Sequence, residues 1–410
     1  MKECEIMSDK IKVVELFAGV GGFSLALKKS KGNYEVIFSN QWEPSTKNQF
    51  AFNALNKNFK KHILSNEDIQ FAKEKLPNDF DLLVGGFPCQ DYSVATTNSK
   101  GIEGKKGVLW WEISWILEKH KPNFVFLENV DRLLKSPSNK RGRDFAIILK
   151  DLDEKGYNVE WMNINAGDYG YVQRRRRVFI LAWRKEKLNI QKELNISDSF
   201  DKGIFRKGFK VEKFILEKEI DLNIFSDKVD VTENYNYGKF LNFGVMIDGK
   251  IISGDFVPLF KGKQKILKDI LEDKVDDSYF LTDEQIQKIS ILKDRKRMPR
   301  TKPNGEKYFY SEGKMSLLEN INMPSRTMLT SEGTINRASH FVEDINSKGI
   351  KGIRRITPLE AERINGFTDN WTSGVMTERQ RYFCMGNALV VPLVAKIGDC
   401  LSEKIIEGKK

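Results

Sequence analysis

Five short apolar runs alternate with amphipathic stretches in the first half of the chain. The runs occupy residues 13–17, 36–38, 82–84, 124–127 and 178–182. Strands that are apolar along their whole length are buried on both faces, and the helices between them supply the cover. The alternation therefore predicts an α/β fold built on a Rossmann-like, doubly wound and mostly parallel sheet.

The regular alternation ends near residue 186 and returns near residue 353. Residues 187–352 are rich in Lys, Asp and Asn and show no sustained strand–helix rhythm. Thr357 and Pro358 then fit the cap and first position of a new helix. We therefore expect a first domain at residues 1–186, completed by 353–410, and a second, smaller and irregular domain at 187–352.

Charge and cysteine usage narrow the class of protein. The chain has 68 Lys and Arg against 57 Asp and Glu, a formal charge of +11 that favours polyanionic partners. Its 4 Cys and 3 His show no metal-binding spacing, so we expect no metal site. No run approaches the ~18 apolar residues of a membrane span, so an intracellular, soluble protein is expected.

Residues suited to ligand binding follow the first two predicted strands. Gly19 and Gly21 begin like a dinucleotide-binding turn, but Ser24 stands where the third glycine would be, which disfavours a nicotinamide cofactor. Trp42 follows the second strand, where an indole can stack on a flat ring. A tight turn without a ligand and a tryptophan in the core remain the alternatives.

Chemically active side chains lie at the ends of three further strands. Cys89 follows a buried strand and a proline, in the position of a soft nucleophile. Glu128 and Asn129 follow another strand, where a carboxyl group can hold or deliver a proton. Arginines 174–177 precede the next strand and suit phosphate or carboxylate binding. An inert cysteine, a salt-bridged glutamate and a solvated basic run remain the alternatives.

Six motifs, taken in chain order, resemble those of the C5-cytosine DNA methyltransferase family. They are FAGVGGFS (17–24), GGFPCQ (85–90), LENV (127–130), DYGYVQRRRR (168–177), RRITPLEAERINGF (354–367) and GNALVVP (386–392). The resemblance covers both ends of the chain and leaves the middle as the family's variable target-recognition region. It implies a DNA (cytosine-5)-methyltransferase of the bacterial restriction-modification type.

The resemblance also implies a mechanism. Cys89 adds to C6 of a flipped-out cytosine while Glu128 acts at N3, Asn129 orients the loop, and Arg175 and Arg177 hold the pocket. S-adenosylmethionine gives its methyl group to C5 and becomes S-adenosylhomocysteine. The residues implied in binding this donor are Phe17, Gly19, Gly21, Gly22, Gln41, Trp42, Asp68, Ile69, Pro88, Leu109 and Asn387.

Double-stranded DNA is the implied partner. Its candidate contacts are Gln90, Ser93, Lys100, Arg326 and Arg337. We expect a monomer in the bacterial cytoplasm, without a membrane partner and functionally paired with a restriction endonuclease.

One departure from the family pattern concerns the donor site. Gln41 stands where the family usually has an acid that contacts ribose hydroxyls. An amide can still form hydrogen bonds but lacks the charge of a carboxylate acceptor. We expect either a weaker donor site or a substitution by Glu43.

Three other functions share some features with this interpretation. A transfer RNA cytosine-5 methyltransferase would share the fold and the chemistry, and a catalytically inactive DNA-binding protein would share only the fold. A zinc-dependent cytosine deaminase needs HxE and PCxxC motifs, and the sequence has neither. The first two remain alternatives.

Overall fold

The structure is a computed structural model that describes residues 10–44, 46–87, 108–190, 195–301 and 305–408. Ten strands form one sheet in the order β3-β2-β1-β4-β5-β7-β6-β9-β10-β8. Their bounds are β1 Ile11–Leu16, β2 Tyr34–Asn40, β3 Ile63–Ser65, β4 Leu82–Gly86, β5 Phe124–Val130, β6 Tyr157–Asn165, β7 Arg176–Arg184, β8 Lys210–Asp221, β9 Phe243–Ile247 and β10 Lys250–Leu259.

The described part of the chain also contains two smaller sheets and eleven α-helices. The small sheets pair β11 Lys296–Thr301 with β12 Lys307–Glu312, and β13 Phe341–Ile345 with β14 Lys351–Arg355. The helices are α1 Gly22–Lys29, α2 Phe50–Asn58, α3 Ile69–Ala72, α4 Val108–His120, α5 Arg143–Glu154, α6 Ile196–Lys202, α7 Lys228–Asn234, α8 Asp283–Lys293, α9 Pro358–Ile364, α10 Glu378–Asn387 and α11 Val391–Gly408.

The large sheet confirms the predicted α/β fold. Strands β3, β2, β1, β4 and β5 pair in parallel with one another, and the centres of β1, β4 and β5 are almost fully buried. From β5 onwards the pairings β5–β7, β7–β6, β6–β9, β9–β10 and β10–β8 are antiparallel. The carboxyl ends of the parallel strands, where such sheets bind ligands, therefore meet at one edge.

The compact units have different bounds from the domains that the sequence led us to expect. The first unit comprises the described residues within Met1–Gly170, Arg175–Lys263 and Val390–Lys410. The second comprises Tyr171–Arg174 and those within Gln264–Leu389. Residues 187–263 thus belong to the first unit, and residues 353–389 belong to the second.

Backbone pairing explains the position of residues 187–263. Strand β9 pairs with β6 along Phe243–Met246, and β10 then pairs with β8 along its full length. Helix α11 belongs to the same unit and packs against α1. Ser30 Oγ donates a hydrogen bond to Asp399 Oδ1 at 2.7 Å, and the Tyr34 hydroxyl donates to the Gly398 carbonyl at 2.7 Å.

The second unit contains a buried ion pair beside a capped helix. Thr357 caps α9, and its side chain accepts a hydrogen bond from the Glu360 backbone amide, as the sequence predicted. Glu360 also binds Arg354, with both side chains fully buried and an Nη2–Oε1 distance of 2.8 Å. An unpaired buried charge is costly, so the two side chains stay paired. The pair joins the chain before α9 to the first turn of that helix.

One segment of the described chain, Glu378–Glu407, is long and apolar enough to cross a membrane by length and composition. Within the structure, 72% of its most apolar window is buried. The core helix of a globular protein gives the same signal, so the segment is weak evidence for a membrane span.

Candidate active site

The carboxyl ends of β4 and β5 place Gly86 beside Glu128. The two residues are direct partners in the parallel register, and Leu16 of β1 is paired with Gly85 on the other side. These three strand ends are therefore adjacent at the ligand-binding edge of the sheet. Phe87, which follows β4, is buried and packs against Trp110.

Several residues predicted to act in the site lie outside the described residues. They are Pro88, Cys89, Gln90, Ser93 and Lys100. The structure describes the chain up to Phe87 and again from α4.

Asn129 holds the chain immediately before that segment. Its side-chain amide donates a hydrogen bond to the Phe87 carbonyl at 2.9 Å, and its oxygen accepts one from the Val130 backbone amide at 2.8 Å. The side chain is only 2% exposed, so its bond to the Phe87 carbonyl is shielded from water. Asn129 thus connects the end of β5 to the point where the Pro88-Cys89 segment begins.

We predict that Asn129→Asp lowers the free energy of unfolding by about 1–3 kcal/mol at neutral pH, because a buried carbonyl loses its donor and faces a carboxylate. Lower pH should reduce the loss, since the protonated carboxyl group regains a donor. Urea denaturation at several pH values measures both effects.

Asn223→Asp is the matched control for this change. Asn223 is exposed and donates to the Asp248 carbonyl, also at 2.9 Å. Its replacement should cost less than about 0.5 kcal/mol. Equal effects of the two substitutions would contradict the role of Asn129.

Glu128 is held by an arginine of the adjacent strand. Arg177 Nε lies 2.8 Å from Glu128 Oε1, and the two side chains are 18% and 15% exposed. A Cβ atom added to Gly86 would lie 3.1 Å from Glu128 Oε2. The absence of a side chain at Gly86 therefore leaves room for the carboxylate at the sheet edge.

Arg175 lies close to this pair and is almost fully buried. Its side chain is among the largest that the interior encloses, with 1% exposure. Burial and the nearby Arg177 lower the pKa of Arg175 to about 9, while Glu128 acts in the opposite direction. The guanidinium still carries its charge at neutral pH, so the site combines two cations with one carboxylate.

The glycine turn after β1 has left-handed backbone at three residues. Phe17, Gly19 and Gly21 have φ values of 54°, 56° and 87°. A Cβ atom at Gly19 would meet nothing within 4 Å, whereas one at Gly21 would approach the Phe59 ring to 2.4 Å. Gly21 is thus required by packing, and Gly19 borders open space. Gly22 begins α1.

Gln41 has a partner that the sequence did not indicate. Its Oε1 accepts a hydrogen bond from the Gly19 backbone amide at 2.7 Å, and its own backbone amide donates to the Ser65 carbonyl at 3.0 Å. Gln41 therefore fixes the glycine turn. Burial raises the pKa of the neighbouring Glu43, whose Oε2 has no hydrogen-bond partner within the described part of the chain.

The other predicted donor-site residues differ in exposure. Trp42 is 37% exposed, whereas Ile69 is buried in the core. Asp68 caps α3 by accepting a hydrogen bond from the Gln70 backbone amide at 3.0 Å. Leu109 is partly buried against the core. Asn387 is an exposed residue at the end of α10 and belongs to the second unit.

Glu15 is a buried group that the sequence analysis missed. Its carboxylate accepts hydrogen bonds from the Ser24 hydroxyl and from Ser39 Oγ, the latter at 2.9 Å. Burial raises its pKa to about 7. Glu15 thus joins β1, β2 and the start of α1 beneath the glycine turn. A lone charged residue inside an apolar run was the available signal.

The two arginines predicted to read DNA are already bonded within the second unit. Arg326 Nε donates to Glu319 Oε1 at 2.8 Å. Arg337 donates to the carbonyls of Leu292 and Asp294, both at 2.6 Å, and also to that of Gly313. Their guanidinium groups therefore stabilise the protein itself.

Comparison with known proteins gives one consistent result. The family model for C-5 cytosine-specific DNA methylase matches residues 11–403. Type II methyltransferase M.Sau3AI of Staphylococcus aureus is 49% identical over 97% of this chain and 96% of its own length. Type II methyltransferase M.HpaII of Haemophilus parainfluenzae is 26% identical over 97% and 91%. The crystal structure of S. pombe Dnmt2 methyltransferase superposes with a TM-score of 0.60, at 16% identity and with coverage of 97% and 99%.

Proposed function

The chain belongs to the C-5 cytosine-specific DNA methylase family, and on that premise we propose that Cys89 and Glu128 carry out its methylation of cytosine C5 in duplex DNA. The activity follows from the family; the assignment of its steps to these residues is the proposal. The supporting observation is that Gly86, which lies three residues before Cys89 in the sequence, pairs directly with Glu128.

The proposed chemistry begins with the thiolate of Cys89, which adds to C6 of the cytosine. Glu128 protonates or hydrogen-bonds N3, which stabilises the negative charge that the addition creates. The C5 atom thereby becomes nucleophilic. After methylation, a base removes the C5 proton, the C6–sulfur bond breaks, and the thiolate is restored.

Arg177 and Arg175 are proposed to position Glu128. The 2.8 Å ion pair occupies one carboxylate oxygen and leaves Oε2 toward Gly86, where the side chain is absent. The second cation, Arg175, is buried close to the same carboxylate. In this arrangement the carboxyl group of Glu128 keeps a fixed orientation at the sheet edge.

The described residues fit the methyl donor that the family implies. S-adenosylmethionine supplies an electrophilic methyl group on a sulfonium centre. The open space at Gly19, the exposed indole of Trp42 and Glu43 Oε2, which has no partner among the described residues, suit a ligand with a flat base and hydroxyl groups. We propose that Glu43 accepts a ribose hydroxyl, because Gln41 Oε1 is occupied by Gly19.

The target cytosine must leave the duplex before Cys89 can reach its ring. Rotation of a base out of the stack costs a few kcal/mol, which contacts with phosphates offset. The formal charge of +11 provides for such contacts. We further propose that the protein acts as a monomer in the cell interior and, like a type II methyltransferase, is paired with a restriction endonuclease.

Methyl incorporation from labelled S-adenosylmethionine into duplex DNA and into transfer RNA tests the proposal. We expect label in DNA, at cytosine C5 within one short sequence, and bisulfite sequencing identifies the site. Label confined to transfer RNA would overturn the DNA assignment. Unchanged incorporation by a Cys89→Ser variant would overturn the assignment of the nucleophile.

A further inference from the structure

Strands β11 and β12 form a two-stranded ribbon whose residues are mostly exposed. The strands pair antiparallel from Lys296–Glu312 to Thr301–Lys307, and they form a separate sheet. Every residue of β11 after Lys296 is exposed, and Phe309 of β12 is 58% exposed. An isolated ribbon is marginally stable in water, and exposed aromatic side chains mark interaction surfaces.

Each face of the ribbon carries an arginine stacked on an aromatic ring. The Arg297 guanidinium lies 4.2 Å from the Phe309 ring centroid, and that of Arg300 lies 4.2 Å from Tyr310. Because directly paired residues share a face, the register places the Arg297 stack on one side and the Arg300 stack on the other. Stacking holds the plane of a guanidinium and leaves the N–H groups at its edge available. Neither arginine has a hydrogen bond or an ion pair within the described residues.

Arg337 binds both the segment that leads into β11 and the segment that follows β12. It donates hydrogen bonds to the carbonyls of Leu292 and Asp294 before β11, and to that of Gly313 after β12. Its Nε also lies 3.1 Å from Glu312 Oε2. The base of the ribbon is thus anchored to the second unit while the stacked arginines stay exposed.

The charge of the ribbon indicates its partner. Its two strands carry four basic residues, Lys296, Arg297, Arg300 and Lys307, against the single acid Glu312. This balance suits a polyanion. A two-stranded β-ribbon fits the major groove of B-DNA, where arginine binds guanine through two hydrogen bonds.

From these observations we propose that the β11–β12 ribbon enters the major groove and that Arg297 and Arg300 read base edges, with Arg337 as a positioning residue. The proposal rests on the proposed function, because it names the element that selects the methylated sequence. It assigns base reading to Arg297 and Arg300, whose N–H groups are available. The earlier candidates, Arg326 and Arg337, are bonded within the protein.

The test compares wild type with Arg297→Ala/Arg300→Ala and Arg297→Lys/Arg300→Lys double variants. Methylation of a random-sequence duplex library, read by bisulfite sequencing, gives the preference for the recognised site. The alanine variant should lose about tenfold or more of that preference, since a bidentate contact discriminates by about 1–3 kcal/mol. The lysine variant should keep the salt dependence of binding but lose the preference, because lysine preserves charge without the bidentate geometry.

Two controls make the outcome specific. Lys351→Ala alters an exposed basic residue of the other two-stranded sheet and should leave site preference unchanged. Calorimetric titration with S-adenosylmethionine should give wild-type affinity for both double variants. An unchanged preference in the alanine variant, or a full preference in the lysine variant, would overturn the proposal and leave the ribbon as a surface for another partner. An absence of methylation by wild type would instead refute the proposed function.

Discussion

Replacement of Cys89 by serine will lower the rate of methyl transfer on the order of 10⁴-fold or more, as expected for loss of a covalent nucleophile. A hydroxyl group ionises at far higher pH than a thiol and is a poorer nucleophile toward a ring carbon. Affinity for S-adenosylmethionine should remain close to that of wild type. Single-turnover incorporation of labelled methyl groups into duplex DNA measures the rate.

Cys400 provides the matched control for this substitution. It is 1% exposed in α11, and burial raises the pKa of its thiol to about 12, so it is not a thiolate near neutral pH. Cys400→Ala should keep methyl transfer within about twofold of wild type, because a buried, protonated thiol takes no part in the proposed chemistry. Activity that survived Cys89→Ser and was lost in Cys400→Ala would reverse the assignment.

Replacement of Glu128 by glutamine will lower kcat about 10²–10⁴-fold, because the amide cannot deliver a proton to the cytosine ring. The amide also loses its ionic attraction to Arg177, at 2.8 Å. The effect should appear in the single-turnover rate and not in the affinity for the methyl donor.

Glu160→Gln serves as the control for Glu128. Glu160 is a buried carboxylate of the same sheet that accepts hydrogen bonds from the Ile204 and Phe205 backbone amides at 2.7 and 3.0 Å. The glutamine oxygen can still accept from one of these amides, so kcat should be nearly unchanged. A similar loss of rate in both variants would indicate a general effect of buried charge and would contradict a role for Glu128 at N3.

The parallel half of the sheet was predictable because its strands are buried on both faces. Strands β1, β4 and β5 are therefore mostly apolar in sequence, and the polar residues at their carboxyl ends mark the ligand-binding edge. Glu128 and Asn129 were found by that logic. A strand that is buried on both faces is apolar in its own sequence, so it can be recognised without knowledge of its partners.

The antiparallel half was not predictable in the same way. β8 is an edge strand whose residues are mostly exposed. Its one short apolar run, residues 214–216, lies between charged residues and is itself largely exposed. Its place in the sheet depends on pairing with β10, up to 49 residues further along the chain. The predicted boundary near residue 187 therefore cut through what the structure shows to be one unit.

Individual hydrogen-bond partners were also beyond the reach of sequence patterns. The bond between Gln41 and the Gly19 amide joins residues 22 positions apart, and nothing local selects that acceptor. Arg337 likewise looked suited to DNA because its segment is polar. Its donors are satisfied instead by carbonyls up to 45 positions away.

The most direct test of the account uses duplex DNA in which the target cytosine carries fluorine at C5. Fluorine cannot leave as a cation, so the final elimination fails and the enzyme stays bonded to C6 of the methylated base. We expect an adduct that resists denaturation, forms only with S-adenosylmethionine and maps by mass spectrometry to the peptide containing Cys89. An adduct on another residue, or none with an enzyme that methylates unmodified DNA, would contradict it.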